Sequence, residues 1–446
     1  MSDFLFATKI YFFDILTQIF VKHEVFHAVP IIFLIEIPLT LIIIVSVFRT
    51  FWRETFSVPM QVPYYPKVSL IITCYSEGEA AINTLKSCVN QLYKGFIEVL
   101  VMIDGATGNI ETYNLAMNYY KNTKIPSNRQ IKVIPKWVRG GLVSSRNLGL
   151  KFSKGELVMV LDGDCSCDND MVANMVHSFY DDNVIASSGA LRVRNLNKSL
   201  ATKFQGIEYL MGIQLGRVGL ANLGIVNNIS GAFGCFKKET LLKFGGWRTG
   251  TAEDLDLTLR MKAYNSRYPN LKIRHEHRAI VHTDVPDTWK VLFIQRLRWD
   301  GDLYFIFFRR FWKVIKPQIM TWKVFTGLFW YNILYCVVSP SITFLSFLFF
   351  FLFFKNALPH IAAVGLFLYL YYCITALILY TIYLVLVSER KKEDLKLLWL
   401  IPLYPFYQYT IRFVTVIAII IEIFLQTHKN SGMAPWWVLK KGLKEK

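Results

Sequence analysis

Three polar signatures follow one another in the middle of the chain, and their residue types match one kind of chemistry. They are LDGDCS (161–166), TAEDLDL (251–257) and QRLRW (295–299). Strand-end aspartates can hold a divalent cation against a diphosphate, a later carboxylate can deprotonate a hydroxyl, and a basic-aromatic helix face can grip a leaving group and a sugar ring. Long apolar runs flank the set on both sides. The sequence therefore predicts glycosyl transfer at a membrane.

Asp162 and Asp164 are the candidate metal ligands. They end an apolar run, and the glycine between them lets the backbone turn sharply. Two carboxylates at this separation can share Mg²⁺ or Mn²⁺, with phosphate oxygens and water as the other ligands. The alternative is that Asp-Gly-Asp forms an ordinary turn. No basic residue stands beside either aspartate in sequence to neutralise it.

Asp254 is the candidate general base, and Glu253 precedes it in the same acidic pair. The pair starts a helical pattern, so the alternative is that both acids only complement the helix dipole. As a base, Asp254 takes a proton from the acceptor hydroxyl. Glu253 and Asp256 are the alternative candidates for this role. A metal-bound diphosphate leaves readily, so no enzyme nucleophile is needed and the anomeric configuration is predicted to invert.

Gln295, Arg298 and Trp299 stand at i, i+3 and i+4 and therefore share one helix face. Arg298 can donate two hydrogen bonds to a diphosphate, Gln295 can add a donor, and Trp299 offers a flat surface to a sugar. A basic-aromatic helix in the membrane surface is the alternative. It explains the composition but not the glutamine.

Short β-rich runs alternate with helical patterns from Pro66 onward, which predicts an α/β domain. Buried strands are expected at 68–73, 97–103, 131–135 and 156–162. This alternation favours a mainly parallel sheet with helices on both faces and ligands at the carboxyl ends of the strands. The polar residues at those ends are Thr73, Tyr75, Glu77, Asp104, Asp162 and Asp164.

Two glycine-containing segments of this domain each have two interpretations. RGGLVSSRNLGL (139–150) enters a helix, and it either presents backbone N–H groups to a phosphate or only turns the chain. NNISGAFGCF (227–236), with Gly231 and Phe233, is either an acceptor-binding finger or a strand and bulge.

With 53% hydrophobic and 15% aromatic residues among 446, the chain is too apolar for an ordinary soluble protein. Runs at 28–48, 324–354 and 356–388 are each long enough to span a bilayer. A fourth run at 397–426, interrupted by two prolines, is expected to begin as an interfacial helix and to cross near 413–424. Glu36 lies inside the first span, and Arg412 is its expected partner.

Basic residues set the predicted orientation. Arg49 and Arg53 follow the first span, and SERKKEDLK (388–396) separates the last two apolar runs, which places the polar segment in the cytosol. The first 22 residues are either a further span or an amphipathic interfacial helix, with no cleavage site for a signal peptide. The tail conflicts with the scheme, because three later spans put it outside whereas its four lysines favour the inside.

The charge and the cysteine spacing argue against a nucleic-acid-binding protein and against a zinc or CxxC site. The net charge of +18 is dispersed around the apolar runs without an arginine-rich stripe, so anionic lipid headgroups and a nucleoside diphosphate explain it better than nucleic acid does. Seven cysteines form no CxxC pair and no zinc spacing, which indicates reduced thiols.

Taken together, the motifs resemble membrane-integrated processive family 2 glycosyltransferases, the group of cellulose, hyaluronan, chitin and poly-N-acetylglucosamine synthases. The similarity runs from about 66 to 299 and rests on PKVSLIITCYSEGE, MIDG, DGD, the acid pair and QRLRW in family order. It implies a cytosolic GT-A domain between transmembrane helices, a nucleotide-sugar donor such as a UDP-sugar, Mg²⁺ or Mn²⁺, and extrusion of a polysaccharide. The resemblance implies Tyr75, Glu77 and Asp104 for the nucleoside, Asp164 for the metal, Asp254 for the base, Arg298 for the diphosphate and Trp299 for the acceptor. The residue patterns add Thr73 and Gln295 to the donor site, Asp162 to the metal site, Glu253 to the catalytic pair, and Phe233 and Gly231 to the acceptor site.

Three positions depart from the family pattern. Ser76 replaces the usual asparagine, Leu142 stands where many members have a lysine after Gly-Gly, and Ala252 occupies a small-polar position. These changes weaken assignment to one polymer. The MIDG form resembles hyaluronan synthases, whereas the compact size and the YPFYQYTIRFVTVIAI ending (404–419) resemble poly-N-acetylglucosamine synthases.

The predicted organisation has five parts: a membrane segment (1–50), a catalytic domain (51–285), interfacial helices (286–322), a membrane region (323–428) and a basic tail (429–446). Three functions stay open. Processive polysaccharide synthesis leads, glycosylation of a lipid such as ceramide or diacylglycerol is the second, and a non-catalytic transporter or scaffold is the third. The sugar, the linkage and any accessory subunit are not determined.

Overall fold

An eight-stranded sheet forms the centre of the polar part of the chain. The computed structural model describes residues 29–56, 63–226, 228–248, 251–353 and 357–429. The strands are β1 (Val68–Cys74), β2 (Ile97–Ile103), β3 (Arg129–Pro135), β4 (Leu157–Asp162), β5 (Ser166–Cys167), β6 (Val184–Val193), β7 (Phe233–Lys237) and β8 (Lys272–Thr283).

Four neighbouring parallel strands carry the predicted α/β pattern. The sheet order is β3-β2-β1-β4-β7-β6-β8-β5, and Val68 lies opposite both Ile97 and Leu157. All residues of β1 and β2 are buried, as expected for strands covered on both faces. The prediction of a mainly parallel sheet is confirmed. Strand β3 begins two residues before the predicted start, at Arg129, whose buried guanidinium donates to the Gly95 carbonyl at 3.0 Å.

Helices fill the connections and continue into the apolar regions. In chain order they are α1 (Val29–Phe56), α2 (Glu79–Val89), α3 (Ile110–Asn122), α4 (Gly141–Phe152), α5 (Met171–His177), α6 (Leu200–Glu208), α7 (Arg217–Asn222), α8 (Lys238–Lys243), α9 (Glu253–Asn265), α10 (Trp289–Tyr304), α11 (Trp322–Leu328), α12 (Ser339–Phe353), α13 (Ala357–Ile382), α14 (Lys391–Asp394) and α15 (Tyr404–Leu425).

The second half of the sheet is not purely parallel. Strand β7 runs antiparallel between β4 and β6, whereas β6 and β8 are parallel to each other. The chain therefore returns across the sheet before it reaches α9. This return brings the loop before β7 next to the start of α9, where the acidic pair lies.

Within the described residues, four helical segments are long and apolar enough to cross a membrane: Ile32–Phe56, Trp322–Phe349, Val364–Val387 and Lys391–Leu425. They coincide with the four predicted apolar runs. In the last one, tight helical turns at Leu395–Leu403 precede the regular helix α15, in which Pro405 stands in the first turn where its missing N–H costs nothing. Residues 1–28 and 430–446, on which the questions of a further span and of the tail depend, lie outside the described residues.

Ion pairs connect the membrane helices to one another and to the sheet. Arg412 Nη1 lies 2.8 Å from Glu36 Oε1, so the predicted partner of the intramembrane glutamate is confirmed. Arg192 on β6 forms a buried ion pair with Asp394, which lies in the first turn of the last candidate membrane segment. Helix α10, which carries QRLRW, packs on α15 and buries Leu292 and Arg296. The catalytic sheet is therefore fixed to the membrane helices through charged contacts as well as apolar ones.

Candidate active site

The carboxyl ends of the central strands meet at one edge, as the sequence predicts. Thr73 of β1 is opposite Asp162 of β4, and its hydroxyl donates back to the Leu161 carbonyl at 3.5 Å. The Thr73 hydroxyl is thus hydrogen-bonded within the sheet. Asp162 ends its strand at this edge, and the chain turns through Gly163, where an added Cβ would lie 2.9 Å from the Thr73 carbonyl oxygen. Only glycine fits this close approach.

Three carboxylates lie close together at this edge. Burial, reinforced by the neighbouring Asp162, raises the pKa of Asp164 to about 6. Burial also raises the pKa of Glu77 to about 8, with Asp164 and Asp162 adding to the shift. Glu77 Oε2 is buried with no hydrogen-bond partner among the described residues. The structure therefore places Glu77, predicted to bind the nucleoside, beside the candidate metal ligands.

This donor set fits a divalent cation. Carboxylate oxygens are the ligands that Mg²⁺ and Mn²⁺ take, and a cation between mutually repelling acids would lower their raised pKa values. No group of three or more His, Cys, Asp or Glu side chains is preformed for a metal in the part of the chain that the structure describes. Asp162 and Asp164 would hold the ion with oxygens of a bound diphosphate completing its shell, which is the usual arrangement for Mg²⁺.

Arg146 is the residue that connects the predicted acids, and sequence reasoning missed it. Its Nη2 lies 3.1 Å from Asp162 Oδ1, its Nη1 lies 2.6 Å from Glu253 Oε1, and Nη2 also donates to the Gly231 carbonyl at 2.7 Å. The side chain is fully buried. Helix α4 positions it from within the glycine-rich segment (139–150), which the sequence analysis interpreted as either a phosphate site or a turn. The signal was available, since an arginine on a buried helix face needs acidic partners.

Asp254 is held by donors from the loop before β7. Its Oδ2 accepts from Asn228 Nδ2 at 2.9 Å and from the Gly231 N–H at 3.0 Å, while Oδ1 accepts from the Leu255 N–H at 2.8 Å. The carboxylate is partly exposed, in contrast to its neighbour Glu253. This arrangement fixes one carboxylate at the mouth of the site.

The other two acids of the TAEDLDL motif are internal. Burial raises the pKa of Glu253 to about 7, and Arg146 opposes that shift. Asp256 is fully buried and pairs with Arg260 at 2.8 Å and with Arg310 at 2.7 Å. The suggestion that Asp256 could replace Asp254 as the base is therefore wrong, because no substrate hydroxyl reaches it.

The segment at 227–236 is a loop followed by a strand. Gly231 lies at the centre of the acid cluster, and an added Cβ would be 3.0 Å from Glu253 Oε1 and 3.4 Å from Asp254 Oδ2. Gly231 thus positions the acids. Phe233 is fully buried in β7 and belongs to the sheet core. The prediction that Phe233 binds the acceptor is wrong, because its ring fills the space above Gly189.

Asp104 fixes the glycine turn. Its Oδ1 accepts from Lys136 Nζ at 2.5 Å and from the Gly140 N–H at 2.9 Å, and its Oδ2 accepts from the Gly141 N–H at 2.9 Å. Burial alone would raise the pKa of Asp104, but the bonds from Lys136 and Gly140 lower it. The amides considered for a phosphate are occupied by this carboxylate. Of the two interpretations of the glycine-rich segment (139–150), the structure thus favours a turn over a phosphate site.

Tyr75 lies beside this turn, and the Arg139 guanidinium stacks over its ring at 4.0 Å. Lys136 and Arg139 supply positive charge on the side where Leu142 replaces the lysine of the family pattern. The other two departures occupy a backbone conformation that L-residues seldom adopt, with φ of 69° at Ser76 and 48° at Ala252. Asparagine reaches this region more readily than serine, which explains the usual residue at 76.

The QRLRW helix closes the site from the membrane side. Burial raises the pKa of both Asp162 and Asp302, and the positive charge of Arg298 opposes both shifts. Gln295 Oε1 is buried without a partner among the described residues. The Trp299 ring has the Arg296 guanidinium at 4.9 Å on one face. Asp162 of β4 is thus brought near Arg298 and Asp302 of α10, which lie more than 100 residues later in the chain.

Asp302 is a second residue that the sequence analysis passed over. It follows QRLRW in the DGD of α10, and its Oδ1 accepts from Thr251 Oγ1 at 2.5 Å. Burial raises the pKa of Asp302 to about 7, with Arg298 opposing the shift and Asp254 adding to it. The contact joins α10 to Thr251, two residues before the acidic pair.

Models of known protein families match the part of the sequence that forms this site. A model of glycosyl transferase family group 2 matches residues 157–411, more than half of the chain, and a model of glycosyl transferase family 2 matches residues 69–241. The chain belongs to the family 2 glycosyltransferases. The resemblance drawn from its motifs and the identification as an enzyme are confirmed.

Named relatives of this family 2 glycosyltransferase are bacterial synthases. A poly-β-1,6-N-acetyl-D-glucosamine synthase of Staphylococcus epidermidis is 29% identical over 279 residues, which cover 61% of this chain and 64% of the relative. The synthase of Staphylococcus aureus is 29% identical over 252 residues, which cover 56% of this chain and 58% of the relative. The chain thus spans less than two thirds of the length of these relatives.

A solved structure has the same fold. It is a mannosyltransferase from Pyrobaculum calidifontis in complex with GDP-Man and Mn²⁺, with a TM-score of 0.53 and 18% identity over 88% of this chain and 99% of that one. The predicted GT-A architecture of this family 2 glycosyltransferase, a mostly parallel α/β sheet flanked by apolar helices, is confirmed.

Proposed function

We propose that this glycosyltransferase builds a polysaccharide by transferring a sugar from a nucleotide sugar to the growing chain, with inversion at the anomeric carbon. The observation that carries the proposal is the cluster of Asp162, Arg146, Glu253 and Asp254, which sets a candidate diphosphate site beside a candidate base. The staphylococcal relatives support UDP-N-acetylglucosamine as the donor and a β-linked N-acetylglucosamine polymer as the product.

The donor would lie along the strand-end edge. Tyr75 and Glu77 would contact the nucleoside. Thr73 would hold the end of β1 in the sheet, and Asp104 would hold the glycine turn beside Tyr75. The diphosphate would lie between Asp164 and Arg298, with Gln295 as a further donor. Mg²⁺ or Mn²⁺ held by Asp162 and Asp164 would neutralise the charge that develops on the leaving diphosphate.

Asp254 would act on the acceptor. The acceptor hydroxyl oxygen forms a bond to the anomeric carbon as the bond from that carbon to the diphosphate oxygen breaks, and Asp254 takes the hydroxyl proton. The donors from Asn228 and Gly231 hold Oδ2, so Oδ1, bonded to the Leu255 amide, is the oxygen with the remaining capacity for the proton. No covalent sugar–enzyme intermediate is required.

Trp299 would stack on the terminal sugar of the acceptor, and polar side chains beyond it support coupled translocation. Arg296 beneath the Trp299 ring pairs with Glu208 at 2.7 Å, and Glu208 accepts from Tyr407 Oη at 2.5 Å. Farther into the membrane helices, Arg412 pairs with Glu36 at 2.8 Å. Buried polar groups in a membrane are costly and mark a path for a polar substrate.

The catalytic domain would lie in the cytosol with the enzyme integral to the membrane. Arg49 and Arg53 end α1, and Lys391 and Lys392 follow the third candidate span. Both basic groups are on the side of the sheet, because Glu54 of α1 pairs with Arg278 at 2.9 Å and Arg390, next to Lys391, pairs with Asp168 at 2.9 Å. The positive-inside rule then favours a cytosolic sheet, where nucleotide sugars are made.

Product analysis of purified enzyme tests the proposal. Incubation with single radiolabelled nucleotide sugars in the presence of Mg²⁺ is expected to give a long polymer from UDP-N-acetylglucosamine and none from the Asp254→Asn variant. A single labelled lipid extractable into organic solvent would instead support glycolipid synthesis. Absence of turnover with every donor would contradict both enzymatic functions.

A further inference from the structure

A cavity of about 610 Å³ lies outside the active site, at the end of α1 nearest the sheet. We call it the basic cleft and define it by Leu41, Ile42, Val45, Arg49, Arg53 and Lys323, which line it. It is bounded by the first candidate span, by the end of α7 and by the start of the second candidate span. None of its residues takes part in the proposed transfer.

A close helix crossing forms the floor of the cleft. Ser46 Oγ donates to the Gly219 carbonyl at 2.9 Å, and a Cβ added at Gly219 would lie 3.0 Å from the Ile43 carbonyl oxygen. Below the crossing, Asn222 at the end of α7 donates to the Thr50 hydroxyl. Helices α1 and α7 therefore touch at this point, and the cleft opens beside the contact with a fixed floor.

The lining is divided into an apolar and a basic half. Leu41, Ile42 and Val45 are exposed on the spanning part of α1. Arg49 and Arg53 follow one and two helical turns later, toward the sheet. The apolar half thus lies at the depth of acyl chains, and the basic half lies at the depth of headgroups.

Aromatic residues mark the same depth. Trp52 and Trp322 are 70% and 69% exposed, on the two helices that bound the cleft. Exposed tryptophan is typical of the boundary between acyl chains and headgroups. The basic half of the cleft is therefore at a membrane surface and not in bulk water.

The three cations of the cleft have no acidic partner within 4.0 Å in the described ranges. Glu54 also lines the cleft, but its carboxylate pairs with Arg278 at 2.9 Å, and no ion pair of Arg49, Arg53 or Lys323 is present there. Three cations and one acid that is paired elsewhere leave the cleft with an excess of positive charge, and a bound anion relieves the repulsion between the cations. Basic pockets between membrane helices on the cytosolic side suit anionic lipid headgroups.

We propose that the basic cleft binds one anionic phospholipid, with the headgroup phosphate between Arg49, Arg53 and Lys323 and an acyl chain along Leu41, Ile42 and Val45. The apolar half favours a lipid over free phosphate, because an inorganic anion would leave Leu41, Ile42 and Val45 uncovered. The site is independent of the transfer chemistry and binds lipid whether or not a donor is present.

Native mass spectrometry of the full chain in detergent tests the proposal without an activity assay. The probes are phosphatidylglycerol and phosphatidylcholine with identical acyl chains. One retained phosphatidylglycerol and no retained phosphatidylcholine are expected. The R49Q/R53Q/K323Q variant is expected to lose phosphatidylglycerol affinity by about 100-fold, since each basic side chain near an anionic surface contributes severalfold.

A charge-matched control distinguishes a site from general attraction. The K391Q/K392Q/K396Q variant removes the same charge from the first residues of the last candidate span, away from the cleft, and is expected to retain the lipid. Equal loss in both variants, or loss in neither, would overturn the proposal. Thermal melting and donor binding establish that each variant is folded.

The occupant is tested separately. Ile42→Trp fills the apolar half without changing charge and is expected to reduce lipid retention at least tenfold. Full retention in that variant would overturn the placement of the acyl chain. Displacement of the lipid by millimolar sodium phosphate would show that the cleft recognises a free anion instead.

Discussion

Arg146 Nη1 and Glu253 Oε1 form a buried ion pair of 2.6 Å, and the same guanidinium reaches Asp162 Oδ1 at 3.1 Å. One side chain from α4 thus joins the candidate metal edge to the candidate base helix. The pair is fully enclosed, so loss of either partner leaves an uncompensated buried charge. The geometry of the site depends on a residue that binds no substrate in the proposed reaction.

Arg146→Lys is expected to reduce transfer by about 10²-fold, because a single ammonium nitrogen cannot replace the two separate guanidinium nitrogens that contact Glu253 and Asp162, and a displacement of about 1 Å has a cost of that size. Removing the side chain in Arg146→Ala is expected to cost about 3–5 kcal/mol of unfolding free energy. Polymer assay and thermal melting measure the two effects.

Arg129→Lys is the matched control, since Arg129 is also buried but donates only to carbonyls remote from the site. It is expected to lower stability without changing the turnover number of the folded enzyme. Normal turnover in Arg146→Lys would contradict the positioning role.

Asp254→Asn is expected to lower turnover by about 10² to 10⁴ while donor affinity is retained, because the amide keeps the shape but accepts no proton. Asp256→Asn serves as the control. Asp256 is paired with Arg260 and Arg310, so its loss should affect melting temperature and not the chemistry. Wild-type turnover in Asp254→Asn would move the base elsewhere.

The raised pKa values at the metal edge predict a pH-dependent response to Mg²⁺. Asp164 has a pKa of about 6 against an ordinary 3.8, and Glu77 has about 8 against 4.5. The folded state therefore binds more protons than the unfolded state in these intervals, and these groups reduce stability as pH rises from about 4 to about 8.

Mg²⁺ binds the ionised acids, so it is expected to raise the melting temperature at pH 8 clearly more than at pH 5. Asp164→Asn should remove most of this difference, and excess chelator should abolish transfer in the wild type. Equal stabilisation by Mg²⁺ at both pH values, or full activity in chelator, would argue against the metal site.

Trp299→Ala is expected to reduce polymer length and yield severalfold while slow hydrolysis of the nucleotide sugar continues, because Asp162, Asp164 and Arg298 still hold the donor. Stacking of a sugar on an aromatic ring is worth on the order of 1 kcal/mol. Both products are measured in one reaction. Trp312→Ala, a loss of an exposed tryptophan in the segment after α10, is the control and should leave polymer length unchanged. Normal polymer from Trp299→Ala would make Trp299 only an interfacial anchor.

The Glu36–Arg412 pair is expected to stabilise the membrane region. Glu36→Ala leaves Arg412 buried without its anion and should cost about 3–5 kcal/mol, detected as a lower melting temperature in detergent. The exchanged pair Glu36→Arg with Arg412→Glu restores opposite charges and should recover part of the loss. An unchanged melting temperature in Glu36→Ala would indicate that the pair contributes nothing.

Local pattern in the sequence determined the elements. Continuous apolar runs predicted the four parallel strands and the membrane helices, because burial on both faces and contact with lipid each leave a composition that is readable without a fold. The acids at the strand ends followed from the same reasoning, since parallel strands place their carboxyl ends at one edge. Even the Glu36–Arg412 pair was predictable, because a charge in a span requires an opposite charge.

Only the tertiary structure decided which polar groups meet and which residues face the substrate. Strand β7 returns antiparallel through the sheet, which buries Phe233 and brings Gly231 to the acids. Arg146 meets Glu253 across 107 positions of sequence, and no local pattern encodes such a contact. The physical reason is that periodicity reports the face on which a side chain lies, whereas its partner depends on how distant elements pack.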